Sequence, residues 1–437
     1  MKFYKKIISI STFLLFSMMV LAQTGSNSPY SRYGFGQLSD QTFANSKAMG
    51  GVAYGFRNGR QINAANPASY SAVDSLTFLF DMGMSLQNTN FKENGKQLNA
   101  KNSTVDYIAM QFRLTKGLGF TAGFIPYSTV GYNMNRSSII PNSGNMYGET
   151  TYKTETFSGE GGLQQIFIGL GYNIWNNLSI GANFSYLYGD ITHSVGVTYS
   201  NTNATNNLRS EQISVKDYKL DLGAQYTQRF KEKHEVTLGA VYSFGKDLNS
   251  DGYRFTETYN SSSVLQSQKV DTLSNVCGLP QTIGIGASYT YDKRLTVGID
   301  YTYQQWEEVK FPTTVKDDQN NQFIIQKGHF CNRSKISAGV EYLPDPYKRN
   351  YLSRIRYRIG AHYSTPYTKI DGKEGAREYG VSFGFGLPIF RSKSMLNISG
   401  QYIKVSPKVS GMLEENSLRI NIGLTFNESW FVKWKVN

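Results

Sequence analysis

The stretch "SLTFLFDMGMSLQ", Ser75 to Gln87, alternates apolar and polar residues over eleven positions. Successive side chains of an extended strand point to opposite faces, so this alternation gives one apolar face and one polar face. A tilted strand needs about 9–11 residues to cross a bilayer. The stretch therefore predicts a membrane strand with lipid on one side and a wet interior on the other. The apolar face holds Leu76, Phe78, Phe80, Met82, Met84 and Leu86, and the polar face holds Thr77, Asp81, Gly83, Ser85 and Gln87.

The same alternation returns along most of the chain. With three less regular runs, near 118–128, 162–174 and 396–404, it predicts fourteen strands. An even number suits a bacterial barrel whose two ends both lie in the periplasm. The predicted fold is all-β, a 14-stranded antiparallel transmembrane β-barrel. The other regular runs lie at 108–114, 178–186, 218–226, 236–244, 283–291, 295–303, 336–342, 355–363, 379–387 and 418–426.

The connections between these strands alternate in length, as they do in barrels with short periplasmic turns and long outer loops. A soluble β-sandwich or propeller is the alternative, but neither predicts this strict alternation. The short turns lie at 116–117, 175–177, 231–234, 292–294, 347–351 and 391–394. The long polar segments lie at 88–103, 129–161, 189–212, 246–280, 308–328, 365–377 and 405–416.

The N-terminus predicts secretion. Three lysines, at positions 2, 5 and 6, precede an apolar run from Ile7 to Leu21, which indicates a signal peptide over 1–22. No later window approaches the roughly 18 apolar residues of a membrane helix, which excludes a helical membrane protein. The formal net charge is +13, but no arginine-rich helix or aromatic-basic RNA motif accompanies it, so nucleic acid is not an expected partner.

The residues between the signal peptide and the first strand, 23–74, predict a hatch inside the lumen. A fourteen-stranded barrel lies between the filled eight-stranded and the open sixteen-stranded kinds, so its lumen has room for a plug. This segment contains small-residue stretches without the two-residue period. Asn66 suits a helix N-cap and Pro67 the first helical position, which predicts a short helix. A simple turn into the first strand is the alternative. The predicted hatch residues are Phe56, Asn66, Pro67 and Ala68, followed by the barrel at 75–426 and a tail at 427–437.

The segment "AMGGVAYG", the "NPA" of Asn66-Pro67-Ala68 and the late "DYTYQQW" ending in Trp306 resemble the FadL/TodX family of outer-membrane channels for hydrophobic compounds. The stretch "SPYSRYGFG" at 28–36 indicates a divergent branch of that family. The resemblance implies fourteen strands, an N-terminal hatch and the outer membrane of a Gram-negative bacterium, with the N-terminus in the periplasm or lumen. It also implies contact with outer-membrane lipid and lipopolysaccharide, biogenesis by the barrel-assembly machinery, and no cofactor.

A proline interrupts the third predicted strand, in "TAGFIPYSTVGY" at 121–132. Proline cannot donate a hydrogen bond to a neighbouring strand, and nearby glycines let the backbone bend. In the FadL/TodX family the third strand is kinked and opens the wall, which implies a lateral exit for an apolar ligand here. An ordinary bulge without an opening is the alternative. The predicted portal residues are Gly119, Gly123, Phe124, Pro126 and Tyr127, and an apolar groove lined by Phe56, Phe124 and Tyr127 would lead to it.

Asp221, Asp300, Arg356 and Arg358 predict a polar lumen network that holds the hatch, because ionisable groups within a membrane span need partners. A role in binding a carboxylate headgroup is the alternative for the same four residues. Cys277 and Cys331 both fall at the predicted outer rim, where a disulfide or two free thiols are the alternatives.

Catalytic chemistry has little support in the sequence. His362 and Ser364 share one face of a strand, but no third partner for a hydrolase site is evident. The four histidines are scattered without metal-ligand spacing, so no metal site is expected. Two functions therefore remain open for a chain that is not expected to be an enzyme. The first is passive uptake of hydrophobic small molecules, long-chain fatty-acid-like or aromatic. The second is a non-transporting barrel that serves as a scaffold, assembly or secretion partner for an unidentified protein.

Overall fold

The computed structural model describes residues 25–93, 95–141, 150–316, 321–389, 392–408 and 412–429. The predicted signal peptide and most of the predicted tail lie outside these residues. Fourteen antiparallel strands form a closed wall, because the first strand pairs with the last from Thr77 opposite Ser429 to Lys92 opposite Glu414. The predicted fourteen-stranded barrel is confirmed.

The wall strands are numbered here in chain order. The first seven are β1 (Thr77–Glu93), β2 (Lys96–Thr115), β3 (Leu118–Pro126), β4 (Tyr152–Asn173), β5 (Leu178–Tyr199), β6 (Asn206–Phe230) and β7 (His234–Ser243). The second seven are β8 (Gln281–Tyr291), β9 (Leu295–Gln305), β10 (Arg333–Tyr342), β11 (Arg356–Ser364), β12 (Arg377–Pro388), β13 (Met395–Ser406) and β14 (Glu414–Ser429).

The two-residue period of the sequence sets which side chains face outward. In β1, Leu79, Asp81 and Ser85 are buried, whereas Met84 and Leu86 are exposed on the outer face. Exposed apolar side chains alternate with buried residues in the same way along the other strands. In the described part of the chain, no helix is long and apolar enough to cross a membrane.

The long polar segments that the sequence predicts as loops are largely strand. β1 and β2 pair out to Glu93 opposite Lys96, so 88–103 is a hairpin. Strands Ser250–Tyr259 and Leu265–Ser274 form an outer hairpin that continues the pairing of β6. Both faces of a strand meet water beyond the bilayer, so these extensions carry no apolar alternation that the sequence could show. The barrel is therefore taller on its outer side than predicted.

The N-terminal segment, residues 25–76, contacts wall strands on different parts of the barrel. Its Met49 backbone packs on Gly339 and Gly360, and Pro67 packs on Gly181, which lies on the opposite part of the strand order. The segment therefore touches strands all around the barrel. Wall glycines within contact distance of this segment are Gly119, Gly169, Gly171, Gly181, Gly223, Gly239, Gly284, Gly286, Gly298, Gly339, Gly360, Gly384 and Gly423.

Short helices shape this segment. A 3-10 helix at Pro67–Ala72 begins where the sequence predicts, with the Asn66 side chain accepting a hydrogen bond from the Ala68 N–H at 3.1 Å. A 3-10 helix at Pro29–Arg32 and one α-helical turn at Ala44–Lys47 precede it. A fourth short helix, Leu352–Arg354, lies in the turn between β10 and β11.

Candidate functional site

The wall has a break beside the third strand. β2 pairs with β3 only as far as Ile108 opposite Phe124. After Tyr127 the chain continues as the strand Ser128–Ile139, here called the outer arm, which pairs with β4 on one side. The outer half of β2 pairs with β1 alone, so a gap separates it from the outer arm. The third strand is therefore split at the position that the proline predicts.

Pro126 lies at the start of this gap. It stays in register with β4, opposite Gln164, and its carbonyl accepts a hydrogen bond from Gln41 Nε2 at 3.0 Å. The missing proline N–H thus coincides with the point where pairing to β2 has ended. In β4, Gly161 (φ +102°) and Gly162 (φ +140°) take conformations that favour glycine, so the bend extends into the neighbouring strand.

The first described residues of the chain span the gap. This piece, residues 25–38, is here called the strap. The side-chain amides of Asn27 and Asn102 hydrogen-bond at 2.6 Å, which ties the strap to β2. Ser31 Oγ bonds the backbone of Gly131 at 3.2 Å, and Gln37 and Leu38 pair with the outer arm. The strap therefore bridges the two separated edges of the wall.

The cavity that remains in the gap is polar. It encloses about 530 Å³, and its lining includes the strap, β2, β4 and β14. Lys47 and Asp106 form a buried ion pair there at 2.7 Å. Moving an apolar molecule through this space would displace water from charged groups, which costs free energy. Charged residues of the lining are Asp40, Lys47, Asp106, Glu160, Asp190 and Arg419.

A second cavity of about 330 Å³ lies in the lumen beside the N-terminal segment. Tyr127 lines this lumen cavity and Phe124 lines the gap, whereas Phe56 lines neither and packs near Gly298. The three residues predicted to share an apolar groove therefore lie on separate surfaces. Charged residues around the lumen cavity include Asp221, Asp300, Arg333, Lys335, Glu378 and Arg419.

The apolar space at the outer end is filled by the chain itself. Phe35 of the strap is fully buried among aromatic rings, with centroids 5.4 Å from Phe311, 5.6 Å from Trp306 and 6.2 Å from Phe330. The Tyr367 hydroxyl donates to the Gly36 carbonyl beside it. A side chain of the strap is thus part of the packed apolar cluster at this end of the barrel. Phe35 belongs to the "SPYSRYGFG" stretch, which the sequence marks as distinctive without indicating this contact.

Polar contacts hold the N-terminal segment to the wall. Asp300 Oδ2 accepts hydrogen bonds from the backbone N–H groups of Ala53 at 2.6 Å and Tyr54 at 2.9 Å. The Gln225 amide donates to the Tyr54 carbonyl at 2.9 Å. Tyr70 Oη donates to Asn183 at 2.9 Å on another side of the lumen. The segment is therefore bonded to several strands at once.

The four predicted network residues do not form one network. Asp300 contacts the N-terminal segment, but Arg356 and Arg358 both pair with Glu341 on β10, Arg358 at 2.7 Å. Asp221 pairs with Lys219 of its own strand at 2.7 Å. The other three charges, Asp221, Arg356 and Arg358, each find a partner on the same or the adjacent strand. Glu341 was missed, although its position opposite Arg358 follows from the register across the short turn.

The suggested disulfide is absent, because Cys277 and Cys331 are both free thiols. Each has separate surroundings. Cys277 is buried in the cluster of apolar residues that contains Phe35 and Trp306, here called the outer apolar cluster. This burial raises the pKa of its thiol to about 12. Cys331 Sγ donates to the Thr368 carbonyl at 3.5 Å.

His362 and Ser364 do not assemble into a hydrolase site. His362 Nε2 lies 3.0 Å from Glu378 Oε1, a pairing that the sequence did not predict. The Ser364 hydroxyl accepts from Arg333 Nε at 2.9 Å and donates to the Thr365 carbonyl at 3.1 Å. The serine is thus engaged by groups other than the histidine. Among the described residues, no three His, Cys, Asp or Glu side chains are placed to hold a metal ion.

Comparison with known proteins gives a family and a fold. The BamG family model matches residues 3–437. No curated protein matches the chain in sequence. The Ralstonia pickettii toluene transporter TbuX is 14% identical, with a TM-score of 0.58 over 89% of this chain and 98% of that one.

Two further solved structures are similar. The P. putida toluene transporter TodX is 13% identical, with a TM-score of 0.59 over 90% of this chain and 100% of that one. A Pseudomonas aeruginosa FadL homologue is 13% identical, with a TM-score of 0.61 over 90% of this chain and 99% of that one. The FadL/TodX-type resemblance of the sequence is confirmed at the level of the fold.

Proposed function

This chain belongs to the BamG family, and from that premise we propose that it is a plugged outer-membrane barrel that serves as a scaffold for partner proteins. The observation that carries the proposal is the direct packing of the N-terminal backbone on wall glycines around the lumen. At these contacts backbone touches backbone, so a ligand cannot pass between hatch and wall there, and the lumen cavity of about 330 Å³ that remains beside the segment has charged side chains in its lining. This packing is more typical of a rigid, plugged barrel than of an open transport channel.

Two further features support a closed barrel. The strap occupies the gap beside β3, and its Phe35 fills the outer apolar cluster. Transport of an apolar molecule would require both to leave together. Since ordered hydrogen bonds and buried aromatic area would be lost at the same time, that opening would be costly.

The partners of the barrel follow from its location. Its exposed apolar strand faces would contact outer-membrane lipid, and lipopolysaccharide would surround its outer half. Insertion would depend on the barrel-assembly machinery. In this proposal the hatch, residues 23–74, is a structural plug, and the chain acts through protein contacts without catalysis or a cofactor.

Native mass spectrometry after mild detergent extraction from the producing cells tests this proposal. We expect a species heavier than the 49.1 kDa chain by the mass of at least one other protein in fixed ratio. The signal-peptide mass would be absent from the chain. A monomer under conditions that preserve other outer-membrane complexes would contradict the proposal.

A second function is favoured by the break at Pro126 and by the fold shared with toluene transporters. It is passive uptake of fatty-acid-like or aromatic molecules, with lateral exit through the gap. A solute that stays out of water gains about 0.8 kcal/mol per methylene. The portal would then comprise Gly119, Gly123, Phe124, Pro126 and Tyr127.

Uptake of labelled palmitate and toluene by cells separates the two functions. The comparison is between intact protein and a Gly123→Val/Pro126→Ala variant at matched surface levels. The scaffold proposal predicts that both equal empty cells. Uptake that requires Gly123 and Pro126 would establish the second function.

A further inference from the structure

The turn between β10 and β11 differs from the other short connections. It spans residues 343–355, and the Asp345 N–H donates to the Ser353 carbonyl at 2.8 Å, which closes its base. All seven residues of its end, "PYKRNYL" at 346–352, are exposed. This end is here called the tip patch. It is longer than the described turns at 116–117, 174–177, 231–233 and 292–294.

The composition of the tip patch is that of a binding surface. Tyr347 is 92% exposed and Leu352 is 61% exposed. Lys348 and Arg349 lie between them, and the patch contains no acidic residue. Tyrosine and arginine are the types that most often dominate binding energy at protein interfaces. A fully exposed tyrosine beside two cations therefore predicts a contact with another molecule.

The turns next to the tip patch also carry positively charged side chains. The Leu343 N–H donates to the Arg294 carbonyl at 2.7 Å, and Tyr351 Oη donates to the Pro388 carbonyl at 3.1 Å, so three adjacent turns are tied together. Within the described parts of these turns, Lys293, Lys348, Arg349 and Lys393 have no carboxylate partner. The combined surface is positive and would attract an acidic partner.

The position of the tip patch favours a protein over lipid. Outward-facing aromatic side chains at strand ends mark the level of the lipid headgroups. Tyr342, which is 48% exposed, is such a residue at the end of β10. The headgroup layer is only about 5–8 Å thick on each side, whereas Tyr347 follows Tyr342 by five residues beyond the strand. Five residues of chain are long enough to carry the patch past that layer and into the periplasm.

We propose that the tip patch binds an acidic surface of a periplasmic protein, with Tyr347 inserted as the anchor and Lys348 and Arg349 contacting carboxylates. The inference rests on the proposed scaffold function and identifies the surface through which it acts. Short turns face the periplasm in barrels of this kind, which places the partner there. Steering by the positive rim would make the association sensitive to salt.

Photo-crosslinking in the producing cells tests the proposal. The probe is p-benzoylphenylalanine at Tyr347, with the same probe at Trp175, an exposed residue of another short turn, as the matched control. We expect one discrete protein adduct at Tyr347 and none at Trp175, mapped by mass spectrometry to an Asp/Glu-rich peptide. Charge reversal by Lys348→Glu/Arg349→Glu should lower its yield by about tenfold at unchanged barrel level.

Several results would overturn the proposal. These are adducts with phospholipid alone, equal adducts at Trp175, an adduct whose yield ignores the charge reversal, or no adduct. If native mass spectrometry still shows a complex in any of these cases, the scaffold function stands and acts through another surface. If no complex forms, both proposals fail.

Discussion

The side-chain amides of Asn27 and Asn102 meet at 2.6 Å across the gap in the barrel wall. Asn102 lies on the outer half of β2, which pairs with β1 on one side and, within the described chain, has no partner strand on the other. Asn27 belongs to the strap, which lies on that open side. Ser31 makes the matching contact with Gly131 on the other edge. The break in the wall is thus closed by the chain's own N-terminal residues.

The packing of backbone on wall glycines should be intolerant of side chains. In Gly360→Val the added carbons would overlap the Met49 and Gly50 backbone, so we expect a loss of about 1–3 kcal/mol or more in the free energy of unfolding. The control is Gly400→Val, because nothing lies within 4 Å of a Cβ at Gly400. Guanidinium unfolding in detergent measures both. Equal midpoints would show that the segment is not seated on the wall.

Removal of the Asp300 carboxylate should loosen the N-terminal segment. Asp300→Ala deprives the Ala53 and Tyr54 N–H groups of their acceptor. Each unsatisfied buried group should lower the free energy of unfolding by about 1–3 kcal/mol. Faster hydrogen exchange at residues 50–56 is the expected result. Asp271→Ala, on the outer hairpin, is the control and should leave that exchange unchanged. Unaltered exchange in both variants would contradict the anchoring role.

Acidification should weaken the contact between the N-terminal segment and β10. Burial alone would raise the pKa of Asp40, but Lys335 and Lys47 hold it below its usual value. A carboxyl with a lowered pKa stabilises the fold above the unfolded pKa of about 3.9, and that contribution is lost as the pH falls through the folded value.

Hydrogen exchange at residues 39–42 measures this loss between pH 7 and pH 3, after correction for the intrinsic rate. Lys335→Met should move this loss to higher pH, because without that cation the effect of burial raises the pKa of Asp40. If the variant keeps the full dependence of the intact protein, another group is responsible.

The two cysteines should react at different rates. Burial raises the pKa of Cys277 to about 12 and shields its thiol, whereas Cys331 is only half-buried, although its pKa is also raised. We expect a maleimide to label Cys331 in the folded protein and Cys277 only after unfolding. A protein two mass units lighter, with no thiol that reacts before reduction, would show a disulfide instead.

The sequence predicts the membrane-spanning parts of the strands, because contact with lipid constrains their residue types. Lipid requires apolar residues at every second position, so strands such as β1 were placed correctly from Phe78 and its neighbours. Beyond the bilayer that requirement ends, and the outer hairpin at 250–274 was taken for a loop.

Long-range contacts account for what the sequence analysis missed at the site. Asp300 was found because an inward charge needs a partner. The strap was not found, since its contacts join residues as distant as Ser28 and Glu415 and have no local pattern. The four residues predicted as a lumen network do not assemble, because the register across the turn between β10 and β11 places Glu341, which was not considered, opposite Arg358.

Flux of labelled toluene through proteoliposomes with a lockable strap tests the central claim that the barrel stays closed. The variant carries Asn27→Cys and Asn102→Cys in a Cys277→Ser/Cys331→Ser background, and oxidation joins the strap to β2. We predict flux equal to that of empty liposomes whether the disulfide is formed or reduced. Flux that appears in the reduced protein and vanishes on oxidation would show that the strap is a gate, and would contradict the scaffold account.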